Sequence, residues 1–190
     1  MTDHLSAVFA MLGPGSRRFA DPAAWERTEA GIGTELPGDY KEFVDEYAPI
    51  RLNGHLCFHH PATTRWNLLE EIRATEQAFR EVDWDGLPHP ETGADGSLIP
   101  ALGTDFGFQV FLRRASRAPE WSVVVHNRDE GGYWEHPMGF AEWLHRQLLG
   151  EEVIHPNGTY FYPGPVRLEH LPMSAEDRRP AAWYGPDRGM

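Results

Sequence analysis

The sequence predicts a single α+β domain, a mainly antiparallel (in part mixed) β-sheet with helices packed on one face. Three observations carry this. The chain has 190 residues, the size of one domain able to bury about 70% of its unfolded surface. Its 41% hydrophobic content, with 12% aromatics, is ample for a core and argues against wholesale disorder. The apolar period also changes along the chain, from helix, helix, strand, helix to a run of short strands closed by a helix. That order segregates the elements rather than alternating βαβ units.

Residues 1–20, which include GPGSRR, are expected to form a loosely held leader, 21–170 the domain and 171–190 a tail. Asp21 is placed to cap a helix beginning at Pro22. An Ile-Gly-x-x-Leu-Pro corner follows, and Pro37 starts a second helix with Asp39 in its first turn. Tyr40, Phe43, Val44 and Tyr47 form that helix's i, i+3, i+4, i+7 stripe. Pro49 stops it, and Ile50 to Phe58 reads as extended around the turn dipeptide Asn53-Gly54. The longest helix is predicted from about Asn67 to Val82, with Leu68, Ile72, Thr75, Phe79 and Val82 on one face. WDGLPHPETGADG is a loop by its Pro, Gly and Asp content.

Leu98 to Leu102, Phe106 to Leu112 and Trp121 to His126 read as strands, and NRDEGG joins the last of these to Gly132–Glu135 as a hairpin. Gly139 to Leu149 returns to helix, stopped by Gly150. Tyr160–Tyr162 and Val166–Leu168 are further strand candidates. The tail is expected to be mobile unless Trp183 docks.

Seventeen basic residues face 29 acidic ones, a formal net charge of -12. That field repels phosphate backbones and anionic lipid, so neither nucleic acid nor membrane is an expected partner, whereas a basic protein surface is favoured. The N-terminus lacks a basic region ahead of its short apolar run and no later run is long enough to span a bilayer, so a cytoplasmic location is expected. A single cysteine, Cys57, permits no internal disulfide and does not indicate an oxidising compartment.

Candidate chemistry is sparse. On a strand, His55, Cys57 and His59 would share a face, and imidazole with thiolate suits zinc. A fourth ligand would have to come from elsewhere, so a buried or edge-strand cluster is the preferred reading. Cys57 has no local context of a catalytic nucleophile. Asp129, Glu130 and Glu135 beside His126 and His136 could do acid–base work, but acidic hairpin turns are generally solvated. The Gly131-Gly132 step suits a turn better than a phosphate loop, and Asn157-Gly158-Thr159 is a glycosylation sequon by spelling that is idle without secretion. Trp121, Trp134 and Trp143 are read as core. Trp66, Trp84 and Trp183 are read as partly buried beside loops or the tail. No enzyme and no cofactor is expected.

The block WERTEAGIGTELPGDYKEFVDEYAPIRLNGHL, followed in order by LIPALGTDFGFQVFL, APEWSVVVHNRDE and GFAEWLHRQLLGE, resembles the SUKH superfamily (the Smi/Knr-like group) over about Trp25 to Glu151. The chain departs from that pattern at Asp105-Phe106-Gly107-Phe108, where the family often has Gly-Asp or Gly-Asn. The resemblance implies the α+β fold and a bacterial immunity protein that binds and neutralises a cognate toxin, commonly a nuclease, by occluding its active site. It equally extends to regulatory scaffolds of cell-wall synthesis or secretion with endogenous partners. For the immunity role, the contact groups expected to meet a basic toxin cleft are Asp83, Asp85, Glu91 and Asp95 in the long loop, with Asp129 and Glu130 in the hairpin turn.

Overall fold

Local sequence chemistry sets where several of the helices begin and end. The computed structural model describes residues 3–80, 98–114, 120–128, 132–154 and 165–185. Helix α1 spans His4–Leu12 and is capped by Asp3, which accepts from the Ser6 N–H at 3.2 Å. Helix α2 (Pro22–Ile32) is capped by Asp21 and ends at Gly33, whose φ of 74° is open to glycine at no steric cost. Glu29 then fastens the corner: its Oε1 accepts from the Leu36 N–H at 2.9 Å and from Lys41 Nζ at 2.7 Å. Helix α3 (Gly38–Tyr47) buries the whole predicted stripe of Tyr40, Phe43, Val44 and Tyr47. Strands β1 (Ile50–Leu52) and β2 (Leu56–Phe58) form a hairpin, with Asn53 and Gly54 at φ 48° and 76°.

Helix α4 (Leu68–Phe79) is capped by Asn67, and the Val82 expected on its stripe lies outside the described residues. Strands β3 (Leu98–Thr104), β4 (Phe108–Arg114), β5 (Trp121–Asn127) and β6 (Gly132–His136) follow as a meander. The strand expected from Phe106 begins instead at Phe108, because Asp105, Phe106 and Gly107 (φ 79°) make the β3–β4 turn. Helix α5 (Phe140–Leu148) starts at Gly139, which has no side chain to cap it. Asp39 of α3 does this from across the core, its Oδ2 accepting from the Ala141 N–H at 2.9 Å. Strands β7 (Val166–His170) and β8 (Ala182–Tyr184) complete one eight-stranded sheet in the order β6-β5-β4-β3-β2-β1-β7-β8, every neighbouring pair antiparallel. The Tyr160–Tyr162 candidate lies outside the described residues.

The main core lies between the helices and one sheet face, where Phe43, Phe58 and Phe140 pack as a ring cluster with centroids 4.9–6.2 Å apart. Helices on one face do not account for all the burial. Val110 and Leu112 belong to this core, but Phe111 between them belongs to a second cluster with Phe79, Leu98 and Val124. Alternation along a strand therefore puts that cluster on the opposite face. The end of α4 supplies its Phe79, whose ring meets Phe111 edge-on at 5.5 Å.

The leader expected to be loose is instead packed. Val8 and Leu12 of α1 are fully buried in the main core, the Tyr47 hydroxyl donates to the Gly13 carbonyl at 2.6 Å, and Glu46 accepts from the Gly15 N–H at 2.7 Å. The tail, expected to be mobile, contributes β8 beside β7, with Tyr184 against the core.

Candidate interaction face

At the β2-β1-β7 end of the sheet, burial alternates strictly. Ile50 and Leu52, Leu56 and Phe58, and Val166 and Leu168 point into the core, while Arg51, Cys57, Arg167 and Glu169 lie on the open face. The register sets Arg51 between Cys57 and Glu169, and Arg167 opposite Trp183. The side chains link into a ladder across four elements. Arg51 Nη1 reaches Asp105 at 3.1 Å, Arg51 Nε reaches Glu169 Oε2 at 3.1 Å, and Arg167 Nη2 reaches Glu169 Oε1 at 2.5 Å. The Arg167 guanidinium lies 5.7 Å from the centre of the Trp183 ring. Phe106, 51% exposed, and Trp183, 55% exposed, stand at the two ends. Aromatic groups with arginine are the composition of interface hot spots.

The histidine–cysteine candidate is taken apart by the local geometry. Strand β2 is only three residues long. His55 sits in the turn, its Nδ1 3.0 Å from the Asn53 carbonyl and its ring against Phe106, whereas His59 lies against Trp66 with Nδ1 3.8 Å from Glu71. Burial, with Asp105 nearby, pushes the Cys57 thiol up to about 11, so it is not a ready thiolate nucleophile. No group of three metal-ligating side chains is gathered among the described residues. Glu135 accepts from Ser122 Oγ at 2.7 Å and pairs with Arg113 at 2.8 Å, which commits it to bracing the outer strands.

Asp83, Asp85, Glu91 and Asp95, with Asp129 and Glu130, lie outside the described residues, as do Trp84 and Asn157. Their flanking residues do not. The 81–97 segment leaves α4 just after Phe79 and returns at Leu98, both in the second cluster. Residues 129–131 lie in sequence between β5 and β6, near whose ends the rings of His126 and Tyr133 meet at a tilt, 4.4 Å apart. Of the tryptophans, Trp143 is fully buried and bonded through Nε1 to the Val153 carbonyl at 2.9 Å. Trp121 packs against the core half-buried, Trp134 is half-buried on β6, and Trp66 donates to the Pro172 carbonyl at 3.0 Å. The ladder was missed in the sequence because Arg51, Arg167 and Glu169 are ordinary strand-face residues until the β1–β7 register, set over more than 100 intervening residues, brings them together.

An open antiparallel sheet with helices packed on its core side defines an α+β domain, and on its other side Arg51, Arg167, Glu169 and Asp105 pair between exposed aromatics. The SUKH_6 family model, described as SMI1-KNR4 cell-wall, matches residues 22–144. The chain belongs to that family, and so to the SUKH superfamily of immunity and regulatory domains. No curated protein and no solved structure matches it significantly. The matched segment runs from the start of α2 into α5, so α1, β7 and β8, including Arg167, Glu169 and Trp183, lie outside it. No helix among the described residues is long and apolar enough to cross a membrane.

Proposed function

We propose that the protein is a cytoplasmic immunity protein that binds a cognate toxin of nuclease type and neutralises it by covering the toxin's active site. SUKH membership is the observation that carries this reading. The net charge of -12 supports a basic partner, since complementary charge steers encounter and fixes register. In this reading, Asp83, Asp85, Glu91 and Asp95 with Asp129 and Glu130 meet the toxin's substrate cleft in place of nucleic-acid phosphates.

Pull-down from cells co-expressing the product of a neighbouring toxin-like gene tests the role, and a stable complex is expected. Reversing all six acidic residues to lysine should slow association and flatten its salt dependence, as seen by stopped-flow mixing. Failure of every neighbouring toxin-like protein to bind would sink the proposal. The second reading, a regulatory scaffold with an endogenous partner, is favoured by the cell-wall description of the matching family model. Recovery of cell-wall or secretion components, and no toxin, in the same pull-down would select it.

A further inference from the structure

A cavity of about 430 Å³ opens where the β1–β7 edge meets the segment after β7, lined by Arg51, Arg65, Glu169, His170, Arg178 and Arg179 among others. In a chain of net charge -12, a concavity with four arginines and two acids is a local reversal of sign. The two acids are already committed. Glu169 is held between Arg51 and Arg167, while Asp177 is gripped by Arg179 at 3.0 and 3.2 Å and accepts from the Met173 N–H at 3.1 Å. Arg65 and Arg178 are exposed and make no ion pair among the described residues. Arg65 rests on the Trp66 ring, which holds the rim through the Pro172 carbonyl. Two guanidinium groups are thus left over on a rim whose backbone is already fixed.

We propose that this cleft binds a small phosphomonoester. Two uncompensated guanidinium groups match the charge of about -1.5 to -2 on such a group near neutral pH, and their fork geometry suits its oxygens. A single carboxylate would leave one arginine unanswered. Ser174 and His170 add neutral polar groups to the lining, Leu171 and Pro172 supply an apolar wall, and the volume suits a phosphate with a body of sugar or nucleoside size. The site is independent of the toxin-binding reading.

Isothermal titration of the full chain with AMP and with inorganic phosphate tests it, with adenosine and acetate as controls. The expected result is saturable AMP binding with a Kd below about 1 mM, none by adenosine, and at least tenfold weakening in Arg65→Ala and in Arg178→Ala. Unchanged thermal unfolding of both variants would separate lost binding from lost fold, as suits two exposed side chains that make no ion pair among the described residues. Equal AMP affinity in the double variant, no saturable binding of either anion, or binding of a phosphoserine peptide without AMP would each overturn the proposal.

Discussion

Asp45 shows how much one side chain can hold. Its Oδ1 accepts from Trp25 Nε1 at 2.9 Å and faces His60 Nε2 at 3.3 Å. His60 Nδ1 accepts from the Ala62 N–H at 3.0 Å, which assigns the proton of the neutral ring to Nε2, pointing at Asp45. One carboxylate therefore joins α2, α3 and the segment after β2. Asp45→Ala removes the acceptor of the Trp25 Nε1–H and the carboxylate facing His60, and should cost about 1–3 kcal/mol in urea unfolding. The buried histidines make a second prediction. Burial lowers His55, His59, His60 and His136, and burial with the Arg128 charge takes His126 down to about 4. Around His126 stand the rings of Phe79 and Tyr133, at 5.1 and 4.4 Å. Each ring is neutral when folded but takes a proton more readily when unfolded. Their stabilising effect is full above the unfolded value near 6.5 and is lost as pH falls toward the folded one. Urea midpoints should fall from about pH 6.5 to pH 4, and His126→Phe should remove up to about 3 kcal/mol of that loss.

Among the elements, α1 is one that sequence reasoning misjudged. The tract GPGSRR reads as a loose leader, and the helix ahead of it is only nine residues long, too short to hold by propensity alone. Val8 and Leu12, four apart, give it a buried edge, but a stripe that short announces itself only once α5 and β7 are there to receive it. Leu12→Ala should lower stability by about 3 kcal/mol, a loss typical of a fully buried leucine, measured by thermal or denaturant unfolding. A change under 0.5 kcal/mol would return α1 to the status of a leader. The other helices were legible because each is punctuated by its own chemistry: Asp21 and Pro22, Gly33, Pro37, Asn67, Gly150. The cap that Asp39 lends to α5 was not, since a contact across 102 residues leaves no local trace.

At the scale of the whole molecule, periodicity revealed the class of fold but not its second buried face. Continuous apolar runs such as Val123-Val124-Val125 carry that information, because a strand covered on both sides loses its alternation. The order in the sheet was hidden as well, since nothing in VRLEH says that it will lie beside Ile50–Leu52. That pairing has a consequence for the edge of β1. Ile50 and Leu52 are wholly buried, and β1's outer hydrogen-bonding groups are satisfied by Leu168, Glu169 and His170. A chain cut after Gly150 keeps the whole family-matching segment, yet it ends its sheet on a bare, apolar-backed edge, a template for pairing with any other strand. Such a truncation should leave the size-exclusion column as dimers and larger species. A stable monomer would show the edge to be harmless. The strands outside the family match would then act as a chaperone in cis, covering the β1 edge that the matched segment leaves open.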